Sequence, residues 1–183
     1  MDRGADDGVC NVKGETPVHM TFNKTINNGG YISSEREKPD CSEMLRCLKN
    51  IDVQRNDGRT PLMQLQYLNI NLIADVQNVF FDAGVDVNKK DNSGNTALII
   101  ATQEHCYKEP IKGLISAGAD VNSANNSGKT ALHYALKYGS QDVARYLIKK
   151  GADYNRADND GVTPVRLAAE NGYDAVLELM TDI

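Results

Sequence analysis

No run of apolar residues in this 183-residue chain approaches the ~20 needed to cross a bilayer as a helix. The opening stretch, Met1-Asp2-Arg3-Gly4-Ala5-Asp6-Asp7, has no apolar segment of the kind that drives secretion. The glycosylation sequons Asn23-Lys24-Thr25 and Asn125-Asn126-Ser127 therefore carry no weight of their own. A basic excess is missing too: 20 Lys and Arg stand against 25 Asp and Glu, a net charge of −5. Binding to a phosphate backbone needs clustered Lys and Arg, so neither nucleic acid nor membrane is an expected partner. Cysteines are few. Cys10, Cys41, Cys47 and Cys106 form no Cys-x-x-Cys pair, and no His stands at zinc-finger spacing, so no zinc site is expected. Reduced thiols point to the cytoplasm, the nucleus or both.

Catalytic signatures are equally scarce. No nucleophile–base set and no phosphate-cradling Gly-rich loop is visible. The acids Asp6-Asp7 and Asp158/Asp160 fall in turns, where general acid–base work is not expected. Asp158-Asn159-Asp160-Gly161 opens like a calcium loop but lacks the closing Glu. The expectation is a chain that is not an enzyme, with no catalytic residue, no cofactor, no metal and no small-molecule substrate.

What is present is periodicity. Gly118-Ala119-Asp120 returns as Gly151-Ala152-Asp153, 33 residues on. Thr16, Thr60, Thr96, Thr130 and Thr163 each follow a Gly by two residues, at intervals of 44, 36, 34 and 33. The phrases run Gly-Glu-Thr-Pro-Val-His, Gly-Arg-Thr-Pro-Leu-Met, Gly-Asn-Thr-Ala-Leu-Ile, Gly-Lys-Thr-Ala-Leu-His and Gly-Val-Thr-Pro-Val-Arg. Twelve residues before the Thr in four of the five stand Gly4, Gly84, Gly118 and Gly151, each opening Gly-(Ala/Val)-Asp. A fixed period of a few tens of residues signals stacked repeats rather than one closed core.

Gly-x-Thr-Pro-Leu-His followed by Ala, with Gly-Ala-Asp-Val-Asn between copies, resembles the ankyrin repeat. The resemblance implies an all-α fold: an α-solenoid of about five helix-turn-helix units with projecting β-hairpin loops. The local chemistry agrees. Thr before Pro or Ala is a helix N-cap, and Pro at the first helical position gives up no needed hydrogen bond. A first helix is expected over Ala131–Tyr138, ended by Gly139, and a second over about Asp142–Lys149 with Val143, Leu147 and Ile148 inward. Others are expected over about Pro61–Leu68, Asp75–Phe81, Ala97–Gln103, from Pro110 onward, and over Tyr173–Met180. Asn-Asn-Ser-Gly and Asp-Asn-Asp-Gly segments supply tight turns.

The expected organisation is one domain over 1–183, with units at about 1–50, 51–83, 84–117, 118–150 and 151–183. A polar insertion at about 25–40 accounts for the long first interval. The last helix pair completes near the final residue, with Thr181-Asp182 suiting an outer cap, so a natural C-terminus is expected. The N-terminal end reads as less complete.

The resemblance also implies where a partner would bind: a concave face of turn tips and first-helix ends. The positions are Asn56, Asp57, Arg59, Tyr67, Leu68, Asn92, Ser93, Asn95, Gln103, Glu104, Asn126, Ser127, Lys129, Lys137, Tyr138, Asn159, Asp160, Val162, Glu170 and Asn171. Within that set the partner-binding candidates are Arg59, Tyr67, Leu68, Gln103, Glu104, Lys129, Lys137, Tyr138 and Asn171. Tyr and Arg are the residue types that concentrate binding energy. His19 and His133 are expected to brace the turns, and His105 to lie at the surface. By the same resemblance Asn122 and Asn155 are candidates for β-hydroxylation. The expected function is protein–protein interaction by a chain that is monomeric alone: a small adaptor, inhibitor or regulatory subunit. Two alternatives stand beside it. One is an obligate subunit that activates or inhibits an enzyme complex such as a cell-cycle kinase. The other is a targeting module of a larger multidomain protein.

Overall fold

The computed structural model describes residues 52–67, 77–104 and 107–181. The expectations for residues 1–50, including His19, the insertion and three of the cysteines, lie outside the described residues, as do those for Leu68, His105 and Cys106. The chain divides into two compact units, Met1–Asp86 and Val87–Ile183.

In the first unit a turn at 55–59 leads into a 3-10 helix, Pro61–Tyr67, and residues 77–82 are helical. An α-helix was the expectation over 61–68. The observed coil is tighter because it opens on an i,i+3 bond, the Met63 N–H donating to the Thr60 carbonyl at 3.1 Å. Leu62, Met63, Leu65 and Phe80 are its buried apolar residues.

The second unit holds six helices: α1 (Ala97–Glu104), α2 (Lys108–Ser116), α3 (Ala131–Lys137), α4 (Gln141–Lys149), α5 (Pro164–Glu170) and α6 (Asp174–Thr181). They come in pairs. α1 packs on α2, α3 on α4 and α5 on α6, while α3 lies between α1 and α5, and α4 between α2 and α6. First helices thus form one layer and second helices another. Among the described residues there is no strand, and the extended pairing is an isolated antiparallel bridge, Ala124 with Thr130. This is an all-α repeat fold.

The helix signals act as their chemistry dictates. Thr163 is extended, and its hydroxyl accepts the Arg166 N–H at 3.3 Å with Pro164 at the first helical position. Thr96 accepts the Ile99 N–H in the same way, at 3.3 Å. Gly139 closes α3 with its φ of +75°: its N–H donates to the Leu136 carbonyl and the Ser140 N–H to that of Ala135. Pro110 does not start α2, which begins two residues earlier. A proline is tolerated there because the first-turn N–H groups have no intrahelical acceptor to lose.

Between the layers sits the core. Leu98, Ile100, Ile111, Leu114, Leu132, Leu136, Val143, Leu147, Ile148 and Val176 are almost wholly inaccessible. Each large side chain of this kind contributes roughly 1.5–3 kcal/mol on burial. The apolar stripe of α4, Val143, Ala144, Leu147 and Ile148, leaves Arg145 and Lys149 outward at the positions between.

Candidate functional site

The turns before the first helices share one backbone pattern. In the second unit the N–H of the leading residue donates to the carbonyl four residues on: Asp91 to Asn95, Asn125 to Lys129, Asp158 to Val162. The leading side chain then takes two further N–H groups. Asp91 Oδ1 accepts from Ser93 and Asn95, Asn125 Oδ1 from Ser127 and Lys129, and Asp158 Oδ1 from Asp160 and Val162, all within 2.8–3.0 Å. A short side chain ending in a planar oxygen is needed for this, which is why Asp and Asn alternate there.

The first-unit turn keeps the backbone bonds but has Arg55 at the leading position, with Arg55 N–H donating to the Arg59 carbonyl at 2.9 Å. A guanidinium cannot accept. Asp57 takes over, accepting the Arg59 N–H at 3.0 Å and the Arg55 guanidinium at 2.9 Å.

Consecutive turns of the second unit are zipped together. Asn126 N–H donates to the Ser93 carbonyl at 3.0 Å and Asn159 N–H to that of Ser127 at 3.1 Å. Their side-chain amides repeat the step, Asn126 Nδ2 to the Asn92 carbonyl and Asn159 Nδ2 to that of Asn126, both at 3.0 Å. Asn126 and Asn159 are therefore spent on neighbouring turns rather than held out toward a partner. Asn95, expected at the exposed tip, is buried, donating to Asp91 Oδ2 and accepting from Asn125 Nδ2. The approach is close enough that a Cβ on Gly94 would meet the Asn126 nitrogen at 2.7 Å, and one on Gly128 the Asn159 Oδ1 at 2.6 Å.

A second seam runs through the Gly-Ala-Asp-Val-Asn loops. Asn88 donates to the Gly118 carbonyl and accepts the Asp120 N–H; Asn122 donates to the Gly151 carbonyl and accepts the Asp153 N–H. The side chain of Asn155, the next in register, makes no such bond among the described residues.

Charge locks the last two turns. Lys129 Nζ lies 3.1 Å from Asp158 Oδ2 and 3.2 Å from Asp160 Oδ2. The Asp158 side chain is 2% exposed and that of Asp160 76%. Burial alone would raise the Asp158 carboxyl, but the Val162 N–H, Lys129 and the Asp160 N–H outweigh it and hold its pKa below the usual carboxylate value. The hydrogen bonds to Asp158 and Asp160 push the Lys129 ammonium up. His133 sits beneath, its Nδ1 accepting the Thr130 N–H at 3.2 Å and its Nε2 3.1 Å from the Val162 carbonyl.

At the other end of the first helices the surface is aromatic. Tyr138, which caps α3, is 52% exposed. Its ring stacks on Tyr134 at 6.2 Å between centroids, and Lys137 Nζ lies 5.6 Å from the Tyr138 centroid. The Tyr134 hydroxyl is anchored by Asn125 Nδ2 at 3.0 Å. The structure thus joins Lys137 and Tyr138 to Tyr134, a residue not named among the candidates. Its four-residue spacing from Tyr138 on one helix face is the signal that could have found it.

Gln103 is half-buried on α1, Glu104 is its last residue, and Tyr67 ends the 3-10 helix of the first unit. Arg59 is half-buried in the first-unit turn. Asn171 is exposed at the C-cap of α5, its amide donating to the Leu167 carbonyl at 2.8 Å. Lys129 is committed to two carboxylates, so among the charged candidates of the second unit Lys137 keeps the freer ammonium.

The family model described as ankyrin repeats matches the chain in three overlapping copies, over residues 31–125, 68–158 and 107–183. No curated protein matches the chain significantly. Among the described residues no helix is long and apolar enough to cross a membrane.

Proposed function

The chain belongs to the ankyrin-repeat family, whose members are generally protein–protein interaction modules, and on that premise we propose that it is a non-enzymatic adaptor, inhibitor or regulatory subunit. The reading keeps five repeats with hairpin loops over residues 1–183, and a protein partner in the cytoplasm or nucleus. The partner is held by turn tips and first-helix ends. Tyr138 with Lys137 is the principal anchor, Gln103, Glu104 and Asn171 are the first-helix ends of the flanking repeats, Lys129 belongs to the turn at the opposite end of α3, and Arg59, Tyr67 and Leu68 are the corresponding positions of the first unit.

One observation carries this reading: a tyrosine 52% exposed yet stacked on a neighbouring ring and faced by a lysine. Rigid aromatics with a polar edge lose little entropy on binding and recur as hot spots. The partner is identified by affinity purification with mass spectrometry, and its affinity then measured against Tyr138→Ala and Arg59→Ala separately. A loss of about 2 kcal/mol or more is expected for Tyr138→Ala. Unchanged affinity in both variants sinks the assignment. Binding stoichiometry and the partner's activity separate a bridging adaptor from an inhibitor or activator. Asn122 and Asn155 are further proposed as substrates of an asparaginyl hydroxylase.

A further inference from the structure

The outward side of the second-helix layer carries a charge arrangement that the first-helix surface does not explain. Lys108 Nζ lies 5.9 Å and Lys150 Nζ 5.6 Å from the centroid of the half-buried Tyr146 ring. Lys149 is exposed at the end of α4. Lys112 and Arg145, on the same two helices, each hold their own acid, Glu109 at 2.7 Å and Asp142. Both local carboxylates are thereby occupied. Among the described residues no carboxylate forms an ion pair with Lys108, Lys149 or Lys150, although Asp142 lies near enough for Lys108 to help Arg145 hold its carboxyl down. Two ammoniums thus meet over one ring, with a third exposed on the same helix, in a chain whose net charge is −5.

Helix stability accounts for only part of this. Lys149 and Lys150 sit at the C-terminal end of α4, where the helix dipole favours cations. Lys108 opens α2, where the dipole disfavours a cation. The Tyr146 ring offsets some of the repulsion by drawing two ammoniums toward its π-electrons, and so holds them together. Their N–H groups remain available to solvent or to an acceptor.

We propose that the outward side of α2 and α4 is a second interaction surface, and that its occupant is a carboxylate-rich segment of a protein partner. Charge complementarity selects the class. A nucleic acid carries its charge along its whole length and would meet the exposed Asp174 and Glu178 of neighbouring α6, which has no basic residue, whereas a short segment need touch only the lysines. A lipid surface would need several protruding apolar side chains, whereas the exposed residues of α2 and α4 are polar or charged, Tyr146 is half-buried, and Tyr107 at the α2 N-cap is the one exposed aromatic beside them among the described residues. A short acidic peptide matches the sign of the patch. This surface is distinct from Tyr138 and stands or falls without it.

The test is fluorescence anisotropy of a labelled oligoglutamate peptide titrated with the full chain at low and physiological salt. Expected is binding that weakens with salt and falls about tenfold in Lys108→Glu/Lys150→Glu. Lys108→Gln/Lys150→Gln should give a smaller loss in the same direction, and Tyr146→Leu a loss of severalfold. Tyr138→Ala should leave it unchanged. Circular dichroism checks that the lysine variants fold as the parent. The proposal is overturned if the parent chain fails to bind, if charge reversal leaves affinity intact, or if an oligonucleotide or phosphatidylserine vesicles bind more tightly than the peptide.

Discussion

The imidazole of His133 bridges two repeats, its Nε2 standing 3.1 Å from the Val162 carbonyl oxygen while Nδ1 accepts the Thr130 N–H. That pattern needs a proton on Nε2 and none on Nδ1, hence a neutral ring. Burial lowers its pKa, opposed in part by the Val162 carbonyl. A folded-state value below the unfolded one means that the unfolded chain takes up the proton first. The stability from His133 is therefore complete above about pH 6.5 and drains away as pH falls below it.

Urea midpoints should accordingly decline between about pH 7 and pH 5.5. His133→Gln should lie lower at pH 7, by about 1–3 kcal/mol for the lost buried bonds, and show a flatter dependence over that interval. An identical slope in parent and variant would remove His133 as the source. Asp158, with a lowered pKa, acts in a separate window, its contribution present above the ordinary carboxylate value and lost below it.

Gly94 and Gly161 have nearly the same backbone, φ of +78° and +74°, but different surroundings. A Cβ at Gly161 meets nothing within 4 Å, whereas at Gly94 it runs into Asn126 of the next turn. Gly161→Ala should cost only the left-handed strain, about 1–2 kcal/mol. Gly94→Ala should cost that and about 1–3 kcal/mol more, because two turns must separate. Thermal melts of the two variants make the comparison, and equal losses would refute the close-approach argument.

Lys129 answers a buried and an exposed carboxylate at once. Lys129→Met should destabilise by about 1–3 kcal/mol, because it strands the Asp158 charge in the interior. Asp160→Asn removes only the solvent-exposed partner and should cost under about 1 kcal/mol. Denaturant titration ranks the pair, and a reversed order would mean that Asp158 is satisfied without the lysine.

The two asparagines proposed for hydroxylation differ in freedom. The Asn122 amide is bonded on both atoms to the following loop, at 2.9 Å and 2.7 Å, while Asn155 makes no equivalent bond among the described residues. An asparaginyl hydroxylase needs the side chain released from the loop, so Asn155 should be modified faster. Peptide mass spectrometry over a time course reads the order, and modification of Asn122 first would contradict it.

Much of the fold was legible in short phrases. Thr before Pro or Ala marked the start of α3 and α5, because capping uses groups within three residues of each other. Gly139 marked an end for the same local reason. The stripe Val143, Leu147, Ile148 identified the inward face of α4. Less legible was the tight coil at Pro61–Tyr67, since a choice between i,i+3 and i,i+4 bonding is not written in apolar spacing. The start of α2 was also missed, because Pro110 is compatible with several positions in a first turn.

The candidate surface was legible in position and not in availability. Asn126, Asn159 and Lys129 stand where a partner could reach, but their amides and ammonium are consumed by groups about thirty residues away, in the preceding repeat for the asparagines and in the next for the lysine. The sequence by itself determined the period, the capped helices and the alternating Asp and Asn of the turns, because each depends on residues near one another in the chain. Only the tertiary structure decided which polar side chains bind the neighbouring turn and which face outward. That choice rests on contacts between repeats, where Asn125 meets Asn95 and Lys108 meets Tyr146.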